Sequence, residues 1–145
     1  MNSSTNQDLD QLNKFLRGEM SATETYEQCM DKIDDSAIER ELRSLKTSHA
    51  TRATMLRAKV NALGGDADDS AGIWGGFAKL VEGGAKLLGK SAAISALEEG
   101  EDHGLAMYRD NLEDLTPTTQ QFVRTELLPE QKRTHDALSR LQNQV

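Results

Sequence analysis

The sequence is poor in the residues that build sheets, staples and membrane spans. Two prolines and 4% aromatic residues in 145 positions, with β-branched runs scarce, leave little material for strands and turns. The single cysteine, Cys29, excludes an intramolecular disulfide and a cysteine-type zinc motif. Cations are outnumbered by acids, giving a net charge of −7, which argues against a general nucleic-acid binder or an anionic-membrane binder. No stretch is apolar for long enough to cross a bilayer, and the opening "MNSSTNQDLDQLNK" lacks the apolar centre of a signal peptide. The expectation is a cytoplasmic protein. There is no glycine-rich phosphate cradle followed by Lys-Ser/Thr, no nucleophile elbow, and no strand ahead of the glycines at 72–89 to make a dinucleotide fold.

What the chain does contain is helix formers in periodic order. Residues 7–33 place Leu9, Leu12, Phe15, Leu16, Tyr26, Met30 and Ile33 on one stripe. A second helix is predicted over 36–63, opened by Ser36 and Glu39 as a capping box and closed by Gly64-Gly65. The stripe Ile94, Leu97, Leu105, Tyr108, Leu112 and Leu115 predicts a third helix over 91–115. A fourth, over 117–143, starts with Thr116 as cap and Pro117 at its first position, and Pro129 should kink it.

Between the second and third helices the segment 72–88 has its own apolar stripe, including Trp74, Phe77, Leu80 and Val81. It reads as a short amphipathic helix in a long crossover. Its apolar side predicts a cover for the bundle or a homodimer interface. Short turns within each helix pair and one long connection between pairs predict a single all-α domain, a four-helix bundle with one crossover.

Charged residues interrupt these stripes at matching places. The chain writes "GEMSATETY" at 18–26 and "GEDHGLAMY" at 100–108, so Glu19 and Glu101 each precede a tyrosine, Tyr26 and Tyr108, by seven residues. His49 falls on the stripe of the second helix and His135 on that of the fourth. At about 1.5 Å rise per residue the four polar side chains lie roughly 12–21 Å from the same end of the bundle. Burying an unpaired carboxylate costs several kcal/mol or more, so four such placements point to a shared purpose. Two glutamates and two histidines form a candidate site for iron, zinc or manganese.

The two Gly-Glu…Tyr halves, with "LKTSHATRATML" and "QKRTHDALSRL", resemble the ferritin-like superfamily, and most of all an uncharacterised bacterial ferritin-like domain family of unknown function. The resemblance implies a helical bundle and no established reaction. Carboxylate-bridged di-iron members use a Glu from each of two helices and Glu-x-x-His from the other two. The resemblance implies that Glu19, Glu101, His49 and His135 correspond to ligands and Tyr26 and Tyr108 to neighbouring tyrosines. Three residues before each histidine, however, stand Lys46 and Lys132, and a protonated lysine has no lone pair for a metal. Two lysine ammoniums paired with the two glutamates would then replace the metal charge. Three functional readings stay open: a non-catalytic or weakly metal-binding bundle in metal handling or stress response, an oxidoreductase-type metal site in the core, and an assembly module docking through the Trp74 helix.

Overall fold

The computed structural model describes residues 3–70 and 89–145. Within them the chain forms α1 (Ser3–Met30), α2 (Ser36–Ala62), α3 (Lys90–Asp110), α4 (Pro117–Phe122), a π-helical turn (Val123–Leu127) and α5 (Leu128–Gln144). The last three run on as one rod, so the described residues make four rods and no strand. The 72–88 segment, with Trp74, Phe77, Leu80 and Val81, lies outside the described residues.

Local chemistry sets most of the boundaries. The cap of α2 is Asp35 and not Ser36: its Oδ1 accepts from the backbone N–H of Ala37 at 3.1 Å and of Ile38 at 3.2 Å. An ionised carboxylate there also answers the positive end of the helix dipole. Glu39 turns outward to Arg43. At the other end Gly64, with φ of 85°, allows the chain to reverse: Gly65 N–H donates to Val60 and Gly64 N–H to Asn61, each at 3.0 Å. These are the two bonds of a Schellman ending, in a conformation that glycine adopts without a Cβ clash.

The fourth rod contains a helical irregularity. Pro129 has no N–H and cannot continue the bond ladder. The turn ahead of it widens, and Leu128 N–H donates to Val123 O, five residues back. One added residue rotates everything beyond it by about 100° relative to an unbroken α-helix. The buried positions of the rod are Thr119, Val123, Leu127, Gln131, Thr134, Ala137, Leu138 and Leu141.

Two apolar clusters form the interior. One joins the end of α1 (Tyr26, Met30), the start of α2 (Leu42, Leu45), the start of α3 (Ile94, Leu97) and the end of α5 (Leu138, Leu141). The other joins the start of α1 (Leu12, Leu16), the end of α2 (Leu56, Val60), the end of α3 (Tyr108) and the start of the fourth rod (Val123, Leu127). These groupings fix the directions: α1 is antiparallel to α2 and α3 and parallel to the fourth rod. This is the topology of a bundle with one long crossover between its second and third helices.

A buried carboxylate pins the fourth rod at its start. Asp8 of α1 accepts from Thr116 N–H at 3.0 Å, from the Thr116 hydroxyl at 2.5 Å and from the Thr119 hydroxyl at 2.6 Å. Thr116 caps α4 and Pro117 follows it, so Asp8 supplies from another helix the acceptor for the cap residue's own N–H, the part that a glutamate at the third helical position plays in a capping box. Removing it leaves buried donors unmet. Asp8→Ala should cost about 2–3 kcal/mol by denaturant unfolding, whereas Asp10→Ala, two positions away and exposed, should leave the midpoint unchanged.

Candidate functional site

The apolar clusters are separated by a polar layer at mid-bundle. Its members are Glu19 from α1, His49 and Arg52 from α2, Glu101 from α3, and Gln131 and Thr134 from α5, all buried. The inward spacing of each helix delivers them. On α2 and α5 two residues three apart, 49 with 52 and 131 with 134, share one face.

His49 is the hub. Its Nδ1 lies 2.5 Å from Glu19 Oε1 and its Nε2 2.6 Å from Glu101 Oε2. A neutral imidazole has one N–H, and its second nitrogen would then set a lone pair against a carboxylate. The arrangement therefore requires the imidazolium, donating from both nitrogens. Arg52 supplies the second cation. Its Nη1 stands 3.2 Å from Glu19 Oε2 and also donates to Gln131 Oε1; its Nη2 donates to Thr134 Oγ1 at 3.1 Å. Gln131 Nε2 donates to the backbone carbonyl of Glu101 at 3.0 Å and to its carboxylate at 2.9 Å, and the Thr134 hydroxyl donates to Glu101 Oε1 at 2.8 Å.

The tyrosines close the layer crosswise. Tyr108, on the helix of Glu101, donates to Glu19 Oε2 at 2.7 Å, and Tyr26, on the helix of Glu19, donates to Glu101 Oε2. Because α1 and α3 are antiparallel, the same seven-residue offset on each carries each tyrosine to the other helix's glutamate. This accounts for the repeated Gly-Glu…Tyr of the sequence. Among the described residues no buried side-chain nitrogen or oxygen is left without a partner.

The charges balance: two carboxylates face one imidazolium and one guanidinium. Burial by itself would push the Glu19 carboxyl up, but the Arg52 and His49 charges and the hydrogen bonds from His49 and Tyr108 outweigh it and hold it below its ordinary value. Glu101 is likewise held down against burial, by His49 through charge and hydrogen bond, by the Tyr26 hydrogen bond and by Arg52. Burial disfavours the His49 cation and Arg52 repels it, yet Glu101 and Glu19 raise it above its ordinary value. Both tyrosines are raised well above theirs by burial and by the adjoining carboxylates, so they remain donors. Cys29, pushed up to about 12 by burial, stays a thiol within the apolar cluster.

A cleft of about 20 Å³ reaches this layer between α1 and α3, bordered by Gly18, Gly100, Gly104, Glu19, His49 and Tyr108, with room for about one water. A Cβ at Gly104 would stand 2.8 Å from Gln131 Nε2 and would force that amide to shift.

Three of the four residues expected to meet do so: Glu19, His49 and Glu101. His135 does not. It is partly exposed on the bundle surface, facing Asp102 and Glu98. Both 134 and 135 continue a stripe through 131 and 138, and the rotation of the rod against its neighbours turns Thr134 inward. The lysines also lie elsewhere. Lys46 pairs at the surface with Glu27, and Lys132 is exposed. The cations opposite the glutamates are His49 and Arg52. Arg52, Gln131 and Thr134 are the members that sequence reasoning missed. The available signal was their three-residue spacing, with His49 ahead of Arg52 and Gln131 ahead of Thr134.

These donors do not suit a di-metal centre. Both His49 nitrogens are engaged with carboxylates, a guanidinium with no lone pair projects into the layer, and amide and hydroxyl groups stand where anionic or imidazole ligands would be needed.

The comparisons place the chain in a family. Residues 7–114 match the model of DUF2383, a domain of unknown function, and the chain belongs to that family. The fold is ferritin-like. It resembles the crystal structure described as ferritin-like, diiron-carboxylate proteins from Bacillus anthracis strain Ames, with a TM-score of 0.78 and 16% identity over 98% of this chain and 99% of that one. No curated protein matches. Among the described residues no helix is long and apolar enough to cross a membrane.

Two stability experiments test the network. Depressed carboxylates contribute stability that is complete above their unfolded value near 4.5 and is lost as pH falls toward their folded values. The raised His49 contributes stability that is complete below 6.5 and is lost as pH rises through its folded value. Unfolding free energy should therefore be highest between these limits. His135 is raised too: burial and the Asp136, Asp102 and Glu98 carboxylates act on it, the latter prevailing. The profile is best measured in a His135→Asn background, where His49→Gln should flatten the alkaline side.

Arg52→Met strands a buried anion and should cost about 3–5 kcal/mol. Adding Glu19→Gln should recover much of the loss. Lys46→Met should leave the midpoint in place. A cycle without coupling between Arg52 and Glu19 would remove the ion cluster as the organising contact.

Proposed function

We propose that this protein is a non-catalytic ferritin-like bundle in which side-chain cations occupy the place of a di-metal centre, and that it serves metal handling or stress response through binding and assembly. The observation that carries this reading is the charge balance of the polar layer: His49 and Arg52 neutralise Glu19 and Glu101 with the buried hydrogen bonds satisfied. Carboxylate-bridged di-iron bundles present a Glu on each of two helices and Glu-x-x-His on each of the other two. In this chain the corresponding inward pairs read His49-x-x-Arg52 and Gln131-x-x-Thr134. Only the two single glutamates keep a ligand's chemistry, and both are committed to His49. Turnover at such a layer would need a group with a free lone pair or an exchangeable position. Its carboxylates are saturated with donors, and its tyrosines are held as donors.

The reading is tested by elemental analysis of protein purified without chelator. Iron or manganese at one or more equivalents per chain, lost on Glu19→Gln or Glu101→Gln, would overturn it; absence of such metal supports it. The converse experiment restores the ligand pattern. A chain carrying His49→Glu, Arg52→His, Gln131→Glu and Thr134→His should take up about two iron ions per chain. If that chain folds, by circular dichroism, and binds no iron, the assignment of the two inward pairs to ligand positions fails.

A further inference from the structure

Away from the buried layer, α3 and α5 bring a second polar group together at the bundle surface. Glu98 and Asp102 stand one turn apart on α3, and His135 of α5 faces both. His135 Nε2 contacts Asp102 Oδ1 and lies 3.9 Å from Glu98 Oε1. Ligand atoms of all three fall within 4.8 Å of one another. The other ring nitrogen, Nδ1, lies 3.2 Å from Asp136 Oδ1, and the Ser139 hydroxyl reaches Glu98 Oε1 at 3.5 Å.

We infer that Glu98, Asp102 and His135 form a surface binding site for a divalent transition ion of the zinc type, independent of the buried layer.

The contrast with the core supports it. There, two cations balance two anions. Here, the carboxylates of Glu98, Asp102 and Asp136 surround a single imidazole, and among the described residues no lysine or arginine is paired with any of them. The excess negative charge calls for a cation. A proton on Nε2 supplies one charge; a divalent ion in its place supplies two and uses the same nitrogen. The donor set of one imidazole and two carboxylates suits zinc and its neighbours better than magnesium or calcium, which prefer oxygen alone. The reach is also right. Ligand atoms in a tetrahedral zinc shell stand about 3.4 Å apart, so the exposed Asp102 must swing outward slightly and the partly buried Glu98 inward. Asp136 accepts the Nδ1 proton and leaves Nε2 to the metal, the usual arrangement behind a metal-bound histidine. Three protein ligands leave a coordination position for water, as expected of a site open to solvent.

The test is calorimetric titration of zinc alone into the intact chain, with magnesium as contrast. One saturable equivalent of zinc is expected, and no saturable magnesium at the same concentrations. His135→Asn should abolish that binding, and Asp136→Asn should weaken it by about tenfold. Melting curves of both variants check that the bundle is intact. Absence of saturable zinc binding, or unchanged affinity in His135→Asn, would overturn the site. Zinc that depends on Glu19 and Glu101 instead of His135 would overturn it as well, and would count separately against the metal-free core.

Discussion

His49 lies between two buried carboxylates, 2.5 Å from one and 2.6 Å from the other. The middle of the bundle is organised around that contact. It joins three helices through one ring and requires a second cation, because one imidazolium cannot neutralise two glutamates. Arg52 meets the requirement from the same helix, one turn away, and its remaining N–H groups recruit Gln131 and Thr134 from the fourth rod. A buried ion cluster of this kind is a weak source of net stability, since desolvation offsets much of the attraction, but removing any one member is costly. Its effect is to fix the rotation and height of the four rods against one another. A slip by one residue on any helix would strand a charge between the two apolar clusters.

The anions of the layer are symmetric and their counter-groups are not. Glu19 and Glu101 occupy equivalent places in the two halves, each held by the tyrosine of the other half. The companion pairs differ: His49 and Arg52 are cationic, whereas Gln131 and Thr134 are neutral. In a di-metal bundle both companion pairs carry ligands, and the metal ions balance the carboxylates. Here one pair brings the whole compensating charge and the other completes the hydrogen bonding. On the proposed reading, the ferritin-like frame admits two solutions to one electrostatic problem, with the cation held either on the protein or on an ion.

The fourth rod shows how the rotation of a helix directs chemistry. Thr134 faces the core and His135 the surface; a turn of the rod by one position, about 100°, would exchange them. At the surface His135 meets acidic partners in a setting whose charge is unbalanced. The histidine is thereby removed from the core and available to a different ligand environment.

Composition and periodicity alone determined the all-α class, the helical stripes, the crossover topology and the inward positions of Glu19, His49 and Glu101. These follow from local rules: helix formers, apolar spacing of three and four, and glycine or proline at the ends. On the sequence reading the two glutamates pair with Lys46 and Lys132, whereas the cations beside them are His49 and Arg52. Only the tertiary structure decided that. A stripe with steps of three or four admits both 52 and 53 after 49, and both 134 and 135 after 131; the choice depends on the rotation of each rod. That rotation is set by the packing of the rods against one another, which no spacing rule encodes. An arginine, moreover, reads as solvated until its partners are known, and those of Arg52 lie 79 and 82 residues away along the chain.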